Sequence, residues 1–292
     1  MPCSRRRLKR ARPLLGTLVE IAVEASAPES ALLAMITLGF EAVAQTERLM
    51  SYHRPESDLS RLNRARAGER VPVHPWTLRV LAASNELFRR SRGVFDIRCG
   101  GALVRAGVLP GPRGAASMPR QADAAPPVEL SAGAAVKTGP WTLDLGGIAK
   151  GFAVDQAVAA IKSAAQGLRC SGSVNAGGDL RVWGAAASPV EVHGLEGPES
   201  ARVMRLRSAA VATSAIRDEK ATRETPAGHV RHGKLVGRRA AATVIARTCL
   251  EADALAKVAL LSDGRTATAC LKLYRAKALL ARSRNASSRI IG

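Results

Sequence analysis

Aromatic side chains are scarce in this chain of 292 residues, where Phe, Tyr and Trp together make up 3%. So few rings leave little on which nucleic-acid bases could stack, which weakens a single-strand-binding reading from the start. Cysteine is sparse too. The five cysteines, Cys3, Cys99, Cys170, Cys249 and Cys270, form no CxxC pair and have no histidines at zinc-ligand spacing. That pattern argues against a zinc module and a disulfide framework, and reduced thiols in a cytoplasmic protein are the expectation. No run of apolar residues is long enough to mark a membrane span, and the basic start is not followed by the apolar stretch of a secretory signal. Neither a GxGxxG nor a GK[ST] phosphate loop is found, and no internal repeat is evident.

What is present is a hydrophobic content of 47%, enough for a substantial core, and a net charge of +20 from 44 basic and 24 acidic residues. An excess of that size ordinarily suggests an anionic partner. Here the cations are scattered and arginine dominates them, which reads as a compositional bias. Only "SRRRLKRAR" at the start and the tail from Tyr274 to Arg289 are locally dense. The expected organisation is a basic arm over residues 1–12, then a single domain over 13–285 with a Gly/Pro/Ala-rich connector at about 111–127.

Hydrophobic periodicity gives the elements. "PLLGTLVEIAVEA" alternates as a first strand, and "ESALLAMITLGFEAVAQTERLM" has helical spacing. "SYHRPESDLSRLNRA" is polar, contains Pro55 and reads as a surface loop, whereas "PWTLRVLAASNELFRRSRG" is a helix closed by Gly93. "PVELSAGAAVKTGPWTLDL" reads as two strands joined at "KTGP", "GSVNAGGDLRVWG" as two strands about a Gly-Gly turn, and "RVMRLRSAAVATSA" and "AAATVIA" as one strand each. "LEADALAKVALL" is a helix, followed by a short helix and a last strand, "AKALLA". Strands and helices without regular alternation imply an α+β fold.

One stretch asks for a ligand. In "LDLGGIAKGFAVD", Leu143 to Asp155, Gly146 and Gly147 let the backbone turn at a strand end and present main-chain groups at a helix N-terminus, where an anion is favoured. Lys150 is one turn into that helix, and Asp144 is placed to accept from a ribose or base. A plain strand-to-helix connection with a solvated lysine explains the same residues, so the neighbours have to decide.

"MSYHRPESDLSRLNRA", "GVFDI", "LDLGGIAKGFAVD", "VNAGGDLRVWG", "VATSA" and "EADAL" occur in an order and at a spacing that resembles the ApbE-type FAD:protein FMN transferases. The resemblance covers nearly the whole chain. It implies an ApbE-like fold of mixed sheets with packed helices, two lobes around a flavin nucleotide cleft, and transfer of FMN from FAD to a Thr or Ser hydroxyl of a target flavoprotein, with AMP released and Mg assisting. It also implies site residues: Met50 and His53 against the nucleotide, Val94, Phe95 and Asp96 at its adenosine end, and Asp144 and Lys150 on the cofactor. The Gly147 carbonyl and the Asp253 carboxylate are implied metal ligands, with Asp253 and His229 as catalytic residues. Hard oxygen ligands suit magnesium.

The bland alternatives stay open for several of these positions. Met50 and Phe95 are normal core residues, Asn175 and Asp179 can hold a turn, and Thr213 and Ser214 either orient a substrate or satisfy a strand end. Asp253, on an apolar helix, needs a partner, and a metal is one. Asp253→Ala is expected to leave the fold intact.

The sequence also departs from the family pattern. His53 stands where an aromatic is usual, "HVRHGKLVG" replaces the usual histidine-led Asp-Pro-Arg-Thr segment, and Lys257 replaces the threonine one helical turn after Asp253. An ammonium cannot ligate a metal, but at i+4 it can pair with Asp253. Two further readings follow: a relative that binds or hydrolyses FAD without modifying a protein, and a basic nucleic-acid-associated protein.

Overall fold

The computed structural model describes residues 4–111, 125–194, 197–216, 230–231, 234–235, 240–282 and 289–292. In chain order the elements are β1 (Arg6–Leu14), β2 (Thr17–Ala25), α1 (Glu29–Met50), α2 (Asp58–Arg64), β3 (Arg70–Pro72), α3 (Pro75–Arg90) and, after a short 3-10 turn at Ile97–Cys99, α4 (Gly100–Arg105). They continue with β4 (Val128–Ser131), β5 (Ala134–Lys137), α5 (Ala149–Ala164), β6 (Cys170–Ala176), β7 (Asp179–Trp183), β8 (Ser188–Gly194), β9 (Gly197–Leu206) and β10 (Ala210–Ile216). Last come β11 (Val230–Arg231), β12 (Lys234–Leu235), β13 (Ala240–Ala246), α6 (Cys249–Leu261), α7 (Gly264–Leu273), β14 (Lys277–Arg282) and β15 (Arg289–Ile291). The expected α+β class is what the chain adopts.

The main sheet has the order β1-β2-β6-β7-β10-β13-β14-β15, with every neighbouring pair antiparallel. Side chains alternate between its faces, as strand geometry requires. Ala210 and Ala212 of β10 and Ala242 and Val244 of β13 join the large core, whereas Val211 between them joins a second core with Val182, Val190, Val192 and Leu206. The large core lies under α1, α5 and α6, and the second lies under the β8–β9 hairpin. Alanines at 252, 256 and 259 of α6 are buried in the large core, and such small side chains let a helix lie close to its neighbours.

Beside this body a small sheet, β3-β5-β4, packs with α2 and α3. Its junction holds the site segments in place. The Asn63 amide of α2 donates to the Leu143 carbonyl at 2.9 Å and accepts from the Leu143 N–H at 2.7 Å, clamping the extended chain that carries Asp144. Asp58, buried at the start of α2, accepts from the His74 N–H at 2.8 Å and from Thr77 Oγ1 at 2.6 Å. The expected surface loop therefore contains a capped helix.

Several local expectations are corrected. The basic segment is built into the fold: Arg6–Leu14 form β1, in register with β2, and Arg5–Glu24, Lys9–Glu20 and Arg10–Glu29 pairs offset part of its charge. The β4–β5 hairpin turns at Ala132 and Gly133, so "KTGP" follows it, and "WTLDL" is an extended clamped segment with no ladder of its own. "RVMRLRSAAVATSA" breaks between β9 and β10, where Ser208 takes a positive φ of 47°. Most of the connector expected at 111–127 lies outside the described residues. No helix among the described residues is long and apolar enough to cross a membrane.

Candidate functional site

A cleft of about 890 Å³ opens where the β1–β2 turn, the end of α1, the loop before α2, the Val94–Cys99 segment, the start of α5, β10 and α6 converge. Met50, His53, Val94, Phe95, Asp96, Asp144, Gly147 and Lys150, all expected at the site, line it together. Thr213 and Ser214 line it as well. Asp253 does not reach the surface, and His229 lies outside the described residues.

The apolar wall doubles as core. Met50, Val94 and Phe95 are almost fully buried, so each contributes only an edge to the cleft and most of its surface to packing. Asp96 caps the 3-10 turn and holds the buried Arg98 through its two oxygens at 2.8–2.9 Å. Arg98 in turn lies over the Phe88 and Trp141 rings. His53 is exposed at the rim, edge-on to Tyr52, whose hydroxyl donates to the Pro110 carbonyl at 3.2 Å. Burial lifts Asp144 above the ordinary carboxylate range, with the Gly146 N–H, His53 and Lys257 pulling the other way.

The polar wall is a pair of neighbouring ion pairs at the junction of α5, β7 and α6. The Lys150 ammonium meets Asp179 at 2.8 Å, and that of Lys257 meets Oδ1 of Asp253. The other Asp253 oxygen accepts from the Gly151 N–H at 3.0 Å. Burial would lower Lys150, but Asp179 and Asp253 more than offset it and the ammonium stays above its ordinary value. Burial, with Asp253 close by, pushes Asp179 up to about 6. Behind them Asp155 takes the N–H groups of Cys249 and Leu250, at 2.9 Å each, and Arg181 at 2.6 Å, capping the start of α6. Cys99 lines the cleft and Cys249 lies behind it, and neither thiol is activated. Burial and nearby carboxylates hold Cys99 and Cys249 well above the ordinary thiol value.

The glycines of the opening motif divide their work differently from the sequence reading. Neither Gly146 nor Gly147 takes a left-handed backbone. Gly151 is the one that must lack a side chain, because a Cβ there would fall on the Cys249 carbonyl.

With this geometry in place, the ApbE family profile matches residues 15–280. The chain belongs to the ApbE family. No curated protein matches it in sequence. The chain is similar in structure to the flavin transferase ApbE of Vibrio cholerae, with a TM-score of 0.76 at 19% identity over 98% of this chain and 97% of that one. It is similar to the flavinyl transferase ApbE of Pseudomonas stutzeri, with a TM-score of 0.76 at 20% identity over 100% of this chain and 96% of that one. It is also similar to the ApbE protein of Thermotoga maritima, with a TM-score of 0.75 at 23% identity over 96% and 97%. At such identities the likeness establishes the ApbE fold.

The magnesium that the family resemblance implies does not fit the donors as they stand. Asp253 has a side chain 0% exposed, both of its oxygens have partners within the chain, and the cation facing it is Lys257. Asp179 has more than a turn to hold, since it carries Lys150, whereas Asn175 does hold the turn by accepting from the Gly178 N–H at 3.0 Å. Tyr52, Cys99, Asp155 and Gly151 were not identified from the sequence. Tyr52 was legible, lying inside the quoted "MSYH", but its contact with Pro110 bridges distant segments that no local pattern links.

Proposed function

We propose that this chain is a flavin transferase that moves the FMN half of FAD onto a Thr or Ser hydroxyl of a target flavoprotein and releases AMP. The observation that carries this reading is the convergence of four of the six ordered motifs, those holding Met50, Phe95, Lys150 and Thr213, on one cleft. Its volume of about 890 Å³ suits a large ligand, since small-molecule sites span roughly 300–1,000 Å³. Membership of the ApbE family and the flavin-transferase names of its structural neighbours support it.

In this reading the acceptor hydroxyl oxygen forms a bond to the FMN phosphorus, the bond from that phosphorus to the AMP oxygen breaks, and the hydroxyl proton leaves to a base. The resemblance offers His229 for a catalytic role at that stage. Such a displacement is governed by positioning and charge stabilisation more than by covalent help from the protein. Met50, Val94 and Phe95 give the nucleotide a rigid apolar wall, and Asp144 and the His53–Tyr52 edge give it polar contacts. Lys150, Lys257 and the N-terminus of α5 present positive charge to phosphate. Thr213 and Ser214, in the middle of β10, line the same cleft, where a hydroxyl would enter.

The test is incubation of the purified chain with FAD and a Thr-bearing acceptor domain, with and without magnesium, read by intact mass and AMP release. A gain of one FMN less water on the acceptor is expected. AMP release without that gain supports the alternative, an FAD-hydrolysing relative. Failure to bind any flavin would sink both.

A further inference from the structure

Among the described residues, two cations of the cleft rest on buried carboxylates, Lys150 on Asp179 and Lys257 on Asp253, and the second carboxylate has no exposed surface. The Lys257 side chain is 18% exposed against 0% for Asp253, and Lys257 lines the cleft whereas Asp253 does not. The lysine stem runs beside Gly147: a Cβ placed on that glycine would stand 3.7 Å from Lys257 Cε and 3.5 Å from the Phe95 ring. The lysine therefore touches Asp253 and runs beside Gly147, the two residues that the family resemblance makes metal donors. An ammonium has three N–H donors, of which Asp253 Oδ1 takes one, leaving the others for ligand oxygens on the open side. Asp253 is itself fixed by the Gly151 N–H at 3.0 Å, so the lysine is anchored on a rigid support at the α5–α6 contact.

We infer that Lys257 is a built-in cation: its ammonium, seated on Asp253, meets the diphosphate of a flavin dinucleotide in the position of a divalent ion, so that binding needs no magnesium. The inference extends the flavin-transferase reading and rests on it. Lys257 is here a binding and charge-stabilising residue, and Asp253 is the residue that positions it. A lysine cannot impose the octahedral order of a bound magnesium ion, but a fixed ammonium supplies charge-assisted hydrogen bonds to phosphate without an ion to recruit.

Two measurements on the whole chain test this. In the first, manganese is titrated into the ligand-free protein and followed by electron paramagnetic resonance. Wild type is expected to leave the ion free, whereas Lys257→Thr, which uncovers Asp253, is expected to bind it. Stoichiometric manganese on wild type overturns the inference. In the second, FAD affinity is measured by flavin fluorescence in chelator and in excess magnesium. Wild type should differ less than about twofold between the two, and Lys257→Thr should lose about tenfold in chelator and recover part of it with magnesium. Wild-type binding that requires magnesium, or a variant unaffected in chelator, overturns the role of Lys257 while leaving the flavin reading intact. No FAD binding under either condition overturns the flavin reading itself. If Lys257→Thr fails to fold, the wild-type results still decide, and Lys257→Arg, which keeps the charge, is expected to retain metal-free binding.

Discussion

The two walls of the cleft are built on opposite principles. The apolar wall, Met50, Val94 and Phe95, belongs mainly to the core and shows the cleft only its edges. The polar wall, Lys150, Asp179, Asp253 and Lys257, is a set of charges that pair with one another before any ligand arrives, although Asp179 Oδ2 meets Lys150 without a well-aligned hydrogen bond. A side chain in the first wall can be replaced by another of similar volume, because packing asks only for shape. Removing one charge of the second costs more, since its partner then loses its counter-charge, most of all where the buried carboxylate is the one left behind.

The sharpest way to break this contrast is Asp253→Ala. The sequence suggested that the fold would tolerate it. The structure reverses that expectation, because the substitution strands Lys257 and the Gly151 N–H together. A loss of about 3 kcal/mol is expected in denaturant unfolding, at the low end for a broken buried pair because Lys257 can reach the cleft. Adding Lys257→Met should recover part of that loss, and full additivity in the double-mutant cycle would show that the two groups do not act as a pair.

Gly151→Ala comes next. The new methyl meets a backbone carbonyl rather than a movable side chain, so α5 and α6 must separate, at a cost of about 2 kcal/mol. Thermal unfolding measures it, and an unchanged midpoint would mean that the α5–α6 contact is looser than the structure has it.

A smaller effect follows from Asp179, which burial holds near 6 in the folded protein against an ordinary value of 3.8. The folded state keeps a proton that the unfolded chain releases between those values. This group's stabilising contribution is therefore present below about 3.8 and lost as pH rises through about 6. Asp179→Asn should flatten that part of the stability profile. A wild-type profile that rises with pH there, relative to the variant, would contradict the shift.

Met50→Leu should do least. It keeps the volume of the apolar wall, so a stability change below about 1.5 kcal/mol and little change in flavin affinity are expected. Loss of flavin binding with the fold preserved would give Met50 a specific ligand contact that packing does not explain.

These differences also mark what could be read from the chain. The α+β class, the long α1 and the apolar α6 were legible because periodicity and caps are local. So was the co-location of Met50, Phe95, Asp144 and Lys150, through what the family resemblance implies. The Lys257–Asp253 pair was legible too, because i and i+4 share a helix face. The partners of Asp155 and the need for a bare Gly151 were not, since both arise from Cys249 and Leu250 nearly a hundred positions away. The hairpin at Arg6–Leu14 was missed for a different reason. Its arginines suggested solvent and hid the register with β2, which depends on Leu8 turning inward.

That hairpin bears on how copies of this protein behave toward one another. β1 is the first strand of the main sheet, and its outer side offers unpaired backbone groups of the kind onto which another strand could add. Arg6, Arg7, Lys9, Arg10 and Arg12 stand exposed along it, and Pro13 removes a donor near its end. A second copy approaching in register would bring like charges together and find the hydrogen-bond ladder interrupted. The positive charge at the start of the chain thus lies where it disfavours strand-by-strand addition of a second copy.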